Sequence, residues 1–337
     1  MEKMLSIVIP VHEHRATLER CLSALSNAEA DGFECIVVDD ASPHDIASIA
    51  AGFPVKCIRS ETRKGSAISR NTGAALATSA WLLFLDADCL ISGPALEEIK
   101  RIIRSHPEEV AFFGSYDDRP FDPAPVSQFR NLLHHYFHQT GSSHITTFWT
   151  GCGAIRSDVF MKMGGFESAD TGIRDIDLGY RLTRAGYKVR LYRHIQVKHL
   201  KRWTLREMIV ADVAKRAIPW TRLLFKYGLN ERNLNLQFSQ RVAGVGFACA
   251  LSGFLLGFWK SPFLWLGFIG LALFLGMNVP VFRMFVSKKG WRFLFWAIPL
   301  QAVYYLSALA GLFLGILGYF FHRRHEKRTE TAQEPLQ

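Results

Sequence analysis

Short apolar runs alternate with amphipathic stretches along the first third of the chain. The apolar runs predict buried β-strands, at residues 5–9, 35–38, 55–58, 81–85 and 110–113. Between them, apolar residues recur at helical spacing and predict helices, at residues 16–25, 66–77 and 94–104. Strands that alternate with helices favour an α/β fold with a mostly parallel, Rossmann-like sheet. In such sheets ligands bind at the carboxyl ends of the strands.

A proline-rich break at residues 120–125 ends this pattern, and a polar, histidine-rich stretch follows at residues 128–144. Farther on we predict a strand at residues 148–155, an amphipathic helix at residues 175–185 and a strand at residues 189–192. On a helix, His134 and His138 would share a face with zinc-compatible spacing, but no acidic or cysteine partner is evident near them or His135. The stretch is either a helix that lines an acceptor site or a plain surface helix, and we assign no metal to it.

The last third of the chain is nearly all apolar. Residues 205–224 carry an apolar stripe opposite basic residues, which predicts a helix in the membrane interface, kinked or divided at Pro219. Three apolar segments follow, at residues 242–259, 263–282 and 293–321. About 20 such residues span a bilayer, so the third segment is longer than one crossing needs. The basic residues that flank these segments all favour the cytosolic side of the membrane. Three simple crossings cannot place all of them there, so we expect that one segment is re-entrant or that the third turns back on itself.

Charge and cysteine content refine this organisation. The formal net charge is +10, and much of the basic excess flanks the apolar segments, which indicates charge facing a membrane rather than nucleic acid. The six cysteines form no CxxC pair, which is typical of a reducing compartment without a zinc site. We therefore predict an α/β domain at residues 1–203 that stays in the cytosol, interfacial helices at 204–241, a transmembrane region at 242–322 and a polar cytosolic tail at 323–337.

Two acidic motifs stand where the predicted strands end. Asp86 and Asp88 follow the strand at residues 81–85, and paired carboxylates of this kind hold Mg²⁺ or Mn²⁺ while leaving positions open for phosphate oxygens. Asp39 and Asp40 end an earlier strand. Asp40 could accept hydrogen bonds from a nucleotide base or ribose, or this pair could instead cap a helix.

Four segments taken together resemble the family-2 inverting glycosyltransferases of the GT-A fold: SIVIPVHEHRATLERCLSAL, CIVVDDAS, KGSAISRNTGAALATSAWLLFLDAD and GCGAIRSDVFMKMGGF. The resemblance covers roughly residues 5–203. It implies a GT-A catalytic domain followed by an α-helical membrane region. It also implies a divalent cation as cofactor and a nucleotide-sugar as donor.

The resemblance also implies site residues. Those expected at the nucleotide-sugar are Pro10, Asp40, Lys64, Arg70, Asp86, Gly151, Cys152 and Gly153. Asp86, Asp88 and His199 would hold the metal, and Asp175 matches the catalytic base. The family has Glu immediately before that base, whereas this chain has Arg174, which we place near the acceptor or diphosphate with Arg202 and Trp203.

We therefore expect sugar transfer, with inversion, to a lipid, lipid-linked or cell-envelope glycan acceptor at a bacterial inner membrane. His199 to Trp203 also resemble the Gln-x-x-Arg-Trp motif of processive synthases, with His in place of Gln. A processive polysaccharide synthase and a non-catalytic nucleotide-sugar-binding regulator are therefore the alternatives. The donor sugar, the acceptor, the number of crossings and the oligomeric state stay open.

Overall fold

The computed structural model describes residues 3–13, 15–28, 32–167, 172–228 and 237–331, with side chains up to residue 321. The chain divides into two compact units. The first consists of Met1–Asp170 and Arg174–Arg202, and the second of Thr171–Ile173 and Trp203–Gln337.

Strands and helices alternate in the first unit. In chain order they are β1 (Leu5–Val11), α1 (Arg15–Ser26), β2 (Phe33–Asp39), α2 (Ile46–Ala50), β3 (Lys56–Arg59), α3 (Ser66–Ala75), β4 (Trp81–Leu85), β5 (Cys89–Ile91), α4 (Gly93–Ser105), β6 (Ala111–Tyr116), α5 (Pro125–Thr140), β7 (His144–Ile145), β8 (Cys152–Arg156), α6 (Ser157–Lys162), α7 (Arg174–Arg184) and β9 (Val189–His199).

The strands form one mixed sheet in the order β3-β2-β1-β4-β8-β6-β9-β5, with β7 paired to β9. The run β3-β2-β1-β4 is parallel, and β6 pairs in parallel with β9. Strands β8, β5 and β7 run the other way. Most strands therefore point in one direction, as the sequence predicts. Because β2, β1 and β4 are parallel neighbours, their carboxyl ends meet at one edge of the sheet.

Strands β1, β2 and β4 lie in the core because they are mostly apolar on both faces, whereas β3 at the sheet edge is partly exposed. Strand β4 is buried along its whole length, and the predicted bounds 81–85 are confirmed. At the amino-terminal ends of the parallel strands, Glu34 of β2 connects β1 and β2 to the loop before β4. Its Oε1 accepts hydrogen bonds from Ser6 Oγ at 2.5 Å, from the Thr78 amide at 2.6 Å and from Thr78 Oγ1 at 2.8 Å.

Two predictions around the middle of the chain are wrong in part. The strand predicted at 148–155 begins only at Cys152, because Phe148 and Trp149 turn their rings against Phe113 instead of extending the sheet. The histidine-rich stretch is helix α5, and it is not a plain surface helix. Two of its histidines are buried and bonded to strand β6: His135 Nδ1 contacts the Tyr116 carbonyl at 2.7 Å, and His138 Nδ1 contacts the Gly114 carbonyl at 3.1 Å.

The second unit is helical wherever the structure describes regular elements. Its elements are α8 (Leu205–Val210), a π-helix (Ala211–Ala217), α9 (Ile218–Tyr227), α10 (Phe238–Gly257), α11 (Phe263–Lys289), a short 3₁₀ turn (Trp291–Phe293) and α12 (Leu294–Thr331). The helix predicted at 205–224, kinked or divided at Pro219, is α8, the π-helix and α9 in direct succession. Pro219 lies in the first turn of α9, and the irregularity takes the form of the π-helix just before it.

Three helices are long and apolar enough to cross a membrane: Phe238–Gly257, Phe263–Lys289 and Trp291–Phe321. They indicate a membrane-anchored protein by length and composition. The third is one continuous helix, so it does not turn back on itself. The predicted tail at 323–337 continues this helix to Thr331, and its remaining residues lie outside the described part of the chain.

A buried polar cluster links these three helices. Asn278 of α11 accepts a hydrogen bond from Gln301 Nε2 at 2.8 Å, and the Tyr305 hydroxyl donates to Gln240 Oε1 at 2.7 Å. All four side chains are buried. In an apolar surrounding such side chains gain by pairing with one another across helices.

Candidate active site

A pocket of about 300 Å³ opens at the carboxyl edge of the parallel strands. Its walls come from the ends of β1 and β4, the turn after β2, and the start of α3. The lining residues are Pro10, Val11, His12, Asp40, Arg63, Gly65, Ser66, Ser69, Arg70, Asp86, Ala87 and Asp88. The sheet order therefore brings together acidic residues that are far apart in sequence.

Asp86 and Asp88 stand at the end of β4, in the turn that leads into β5. Ligand atoms of Asp86, Asp88 and Cys89 all lie within 4.8 Å of one another. Strand β5 then pairs with the end of β9, where Cys89 lies opposite His199 and the Leu200 amide donates to the Asp88 carbonyl at 2.8 Å. This pairing brings His199 Nε2 to 3.3 Å from Asp88 Oδ2.

The orientation of His199 fits a metal ligand. The ring stacks on Tyr116, with centroids 4.3 Å apart, and Nδ1 lies 2.7 Å from Asn131 Oδ1. Because that oxygen accepts a hydrogen bond, the proton of the neutral ring sits on Nδ1 and the lone pair of Nε2 faces Asp88. Two lone-pair atoms at this distance need a cation between them, either a proton or a metal ion.

The donor set also fits a hard divalent cation. Carboxylate oxygens with one imidazole suit Mg²⁺ or Mn²⁺. Cys89 is a poor ligand here, since burial, and to a lesser degree the negative charge of Asp88, raises the pKa of its thiol well above the usual value. Its Sγ donates instead toward Asp88 Oδ1, at 3.9 Å.

The pocket also contains positively charged groups. Helix α3 begins at Ser66, so its N-terminal amide groups face the pocket, where a helix favours anions. Arg63 and Arg70 flank this helix end, and Arg70 Nη2 contacts Asp86 Oδ1 at 2.5 Å. Cationic and acidic side chains are therefore in direct contact in this pocket.

Asp40 lines the pocket, but its carboxylate is already engaged. One oxygen accepts the Lys64 amide and the other the Gly65 amide, each at 2.8 Å. Asp40 thus holds the turn that starts α3. Neither Asp39 nor Asp40 caps α2, whose cap is Asp45, so the helix-cap interpretation of this pair is wrong. Asp39 instead binds Arg59 and the Ser42 amide.

Asp175 lies in the first turn of α7 and interacts electrostatically with Arg70 and Asp86. Burial raises its pKa above the usual aspartate value, although the charge of Arg70 and the amides of Ile176 and Thr150 oppose that rise. The neighbouring Arg174 lies beside the α3 turn, because a Cβ on Gly65 would be 3.7 Å from its Nη1.

The segment Gly151-Cys152-Gly153 is buried beside the site and is absent from the pocket lining. Both glycines make room for Trp149: a Cβ at either position would collide with its ring or its carbonyl oxygen. Cys152 pairs with Leu85 in the sheet. Burial and, less strongly, the charge of Asp86 raise the pKa of its thiol to about 12, so it stays protonated.

Some expected site residues lie elsewhere. Lys64 contributes its backbone amide, while its side chain is exposed and absent from the pocket lining. Arg202 is also absent from that lining, and its closest described acidic partner is Asp122, at 3.9 Å. Trp203 belongs to the second unit.

Four further residues line the pocket and are not predicted from the sequence: His12, Arg63, Ser66 and Ser69. His12 directly follows the first strand, which is the signal that would have found it. Its Nδ1 lies 2.7 Å from the Asp40 carbonyl.

Comparison with known proteins agrees with this geometry. Residues 6–164 match the family described as Glycosyl transferase family 2. Over these residues the chain is similar to the family 2 glycosyltransferases. The matched range contains both acidic pairs, the α3 turn and the Gly151–Gly153 segment, but ends before Asp175 and His199.

Two curated glycosyltransferases are similar to this chain. An uncharacterized glycosyltransferase of Haemophilus influenzae is 31% identical over 191 residues, which are 53% of this chain and 62% of that protein. A pre-mycofactocin glycosyltransferase of Mycobacterium tuberculosis is 28% identical over 221 residues, 60% of this chain and 44% of that protein. The chain thus spans between two fifths and two thirds of the length of these relatives.

Among solved structures, the mannosyltransferase PcManGT of Pyrobaculum calidifontis, in complex with GDP-Man and Mn²⁺, is similar in fold. Its TM-score is 0.58 at 15% identity, and the match covers 93% of this chain and 88% of that one. The similarity shows the GT-A fold.

Proposed function

We propose that the protein transfers a sugar from a nucleoside diphosphate sugar to an acceptor, with inversion at the anomeric carbon. One observation carries the proposal: Asp86, Asp88 and His199 converge at the carboxyl end of β4. The same pocket contains the N-terminus of α3 and two arginines, one of which, Arg70, contacts Asp86. A diphosphate would bind to these cations beside the acidic residues. The similarity to family 2 glycosyltransferases and the Mn²⁺ in PcManGT support this reading.

Each wall has a task in donor binding. Arg63, Arg70 and the first amides of α3 bind the diphosphate by charge and hydrogen bonds. Asp40 keeps that helix start in place through its two backbone hydrogen bonds. Pro10, Val11 and His12 form the floor beside Asp40, where the nucleoside would lie. Asp86, Asp88 and His199 would hold Mg²⁺ or Mn²⁺, which stabilises negative charge on the leaving diphosphate.

Asp175 is the proposed base. A pKa raised above that of ordinary aspartate makes the ionised carboxylate a stronger proton acceptor. Asp175 takes the proton of the acceptor hydroxyl, whose oxygen forms the new bond to the anomeric carbon as the bond to the diphosphate oxygen breaks. General-base assistance of this kind contributes about 100- to 10,000-fold to the rate.

The acceptor we propose is a lipid or lipid-linked glycan, at the cytosolic face of a bacterial inner membrane. Three helices with the length and composition of membrane spans support a membrane location. A PGL/p-HBAD biosynthesis glycosyltransferase of Mycobacterium bovis is 32% identical over 117 residues, which gives modest support to a glycolipid product.

The first experiment tests donor and metal together. Full-length protein in mild detergent is screened against UDP- and GDP-sugars, with Mn²⁺, Mg²⁺ or EDTA, for thermal stabilisation and nucleoside diphosphate release. We expect one donor class to respond only with metal, and Asp88→Asn to abolish the response. Asp117→Asn is the matched control: Asp117 is about as buried as Asp88 but pairs with Lys198 outside the pocket. Metal-independent donor binding in wild-type protein contradicts the proposal.

The second experiment separates acceptor classes with Asp175→Asn. A hydroxyl acceptor needs the base, so turnover should fall by about 100- to 10,000-fold while donor binding persists. A phosphate acceptor is already ionised and would lose far less. Membrane lipid extracts and soluble sugars are compared as acceptors, and robust transfer only to soluble sugars excludes the lipid acceptor.

A further inference from the structure

The second unit contains a large cavity, and all its described lining residues belong to that unit. Its volume is about 630 Å³, within the range of about 300–1,000 Å³ that holds small-molecule ligands. Its walls come from the π-helix, α9, α10 and α12. Apolar side chains dominate them, including Trp220, Leu224, Val245 and Leu309.

The polar lining residues gather at one end. The lining runs from Asp212 to Leu224 on the first wall, from Gln240 to Ser252 on α10 and from Tyr304 to Leu312 on α12. The Tyr305 hydroxyl binds Gln240, so the starts of the α10 and α12 walls are level.

The first wall runs in the same direction. Gly311 of α12 lies against Ala217, and Gly315 against Thr221, so α9 and α12 are parallel. The first wall and the α12 wall therefore both begin with polar residues near Tyr305 and continue into mostly apolar ones. The α10 wall has its two largest polar residues, Gln240 and Arg241, at the level of Tyr305 and is mostly apolar beyond them, up to Ser252. Twelve helical residues, as from Gln240 to Ser252, rise about 18 Å, which is close to half of a bilayer core of about 30 Å.

The polar end is positively charged. Among the lining residues that the structure describes, the charged ones are Arg216, Arg241 and Asp212. Arg216 Nη1 lies 3.4 Å from Asp212 Oδ1, and Arg241 is exposed. Two guanidinium groups and one carboxylate leave a net positive charge, which suits a phosphate group at the mouth.

We propose that this cavity binds one acyl chain of an anionic phospholipid, with the phosphate between Arg216 and Arg241. The length matches one leaflet, the walls match a hydrocarbon chain, and the charge at the mouth matches a phosphodiester. A polyprenyl chain of many isoprene units is longer than the cavity. The proposal stands independently of glycosyl transfer, because the cavity shares no lining residue with the donor pocket.

Lipid binding is measured by native mass spectrometry on the full-length protein in detergent, with phosphatidylglycerol, phosphatidylcholine or undecaprenyl phosphate added. Gly244→Leu should fill the cavity: a Cβ at Gly244 meets only the Tyr305 ring, at 3.8 Å, so the chain has room to fold. Its control is Gly276→Leu, where a Cβ meets nothing within 4 Å and the residue does not line the cavity.

A second pair of variants tests the charge at the mouth. Arg241→Gln removes a lining cation, and Arg283→Gln removes an exposed cation of α11 that does not line the cavity. We expect Arg241→Gln to weaken phosphatidylglycerol binding about tenfold or more, as loss of a charge-assisted contact does. Gly244→Leu should weaken it at least as much, because the leucine side chain occupies the space of the acyl chain. Both controls should bind like wild type.

Three results would overturn the proposal: equal affinity for phosphatidylcholine and phosphatidylglycerol, binding of undecaprenyl phosphate alone, or undiminished phosphatidylglycerol binding by both cavity variants. Donor binding, measured in the same preparations, should be unchanged in all four variants. The lipid site and the proposed function can therefore fail separately.

Discussion

The hydrogen bond between His199 and Asn131 gives a sharp test of the proposed metal site. Asn131 lies on α5 and is 2% exposed, and His199 is 6% exposed. Their contact of 2.7 Å fixes which ring nitrogen carries the proton. The perturbation is Asn131→Leu, which keeps the side chain nearly the same size and removes the acceptor.

The expected loss follows from the burial of this pair. Without Asn131 Oδ1, the Nδ1 proton has lost its partner, and the ring can place its proton on Nε2, the atom that faces Asp88. Hydrogen bonds to a metal-bound histidine are worth about 10- to 100-fold in metal affinity. That range corresponds to about 1.4–2.8 kcal/mol, which agrees with the 1.5–3 kcal/mol typical of hydrogen bonds to charged groups.

The assay is a Mn²⁺ titration of the full-length protein followed by electron paramagnetic resonance, with and without UDP or GDP. Gln128→Leu is the matched control. Gln128 is buried on the same helix, but its Nε2 binds the Pro120 and Asp122 carbonyls, away from His199. If Asn131→Leu binds Mn²⁺ as wild type does, or if Gln128→Leu loses as much affinity, the assignment of His199 as a metal ligand is refuted.

Three further changes test packing and electrostatics. Gly153→Ala should destabilise the first unit by about 1–3 kcal/mol, because a methyl group there collides with neighbouring backbone, whereas Gly52→Ala, with its nearest contact at 3.5 Å, should be nearly neutral in denaturant unfolding. Glu34→Gln should cost about 1–3 kcal/mol at pH 7. Partial burial raises the folded-state pKa of Glu34, but the hydrogen bonds from Ser6 and Thr78 lower it by more. The stabilisation by the Glu34 carboxylate is therefore fully present above its unfolded-state pKa of about 4.3. It is lost as the pH falls through the lower pKa of the folded state. The difference in unfolding free energy between Glu34→Gln and wild type should therefore be larger at pH 7 than at pH 3. A difference that grows as the pH falls would contradict the lowered pKa. Asn278→Leu should weaken packing of the membrane helices by about 0.6–1.7 kcal/mol, measured by unfolding in mixed micelles, with Gly276→Leu as the neutral comparison.

The parts of the fold that depend on local pattern could be predicted from the sequence. Strand β4 is apolar throughout and bounded by polar residues, so both its ends are evident. The edge at which Asp40 and Asp86 meet follows from the alternation of strands and helices, because parallel strands bring their carboxyl ends together. The three helices that are long and apolar enough to span a membrane are equally clear, since length and composition alone identify them.

Irregular backbone limits the prediction elsewhere. Phe148 and Trp149 are residue types that are common in strands. Their rings instead pack beside Phe113, and this aromatic packing stabilises the fold more than an extended strand would. The π-helix at Ala211–Ala217 keeps the apolar stripe of an ordinary helix, so the pattern conceals it. In both cases tertiary packing, which no local window contains, decides the conformation.

The proposed metal site shows the same division between local and long-range information. The spacing of Asp86 and Asp88 is local and can be read directly from the chain. His199 meets Asp88 only because β5, a strand of three residues, pairs antiparallel with the end of β9, and α5 then supplies Asn131 to orient the ring. A strand as short as β5 shows no periodicity in the sequence. The contact from α5 shows none either, because it involves a single polar residue, Asn131, among buried neighbours. The resemblance to a family supplied His199, whereas Asn131, which sets its chemistry, required the three-dimensional structure.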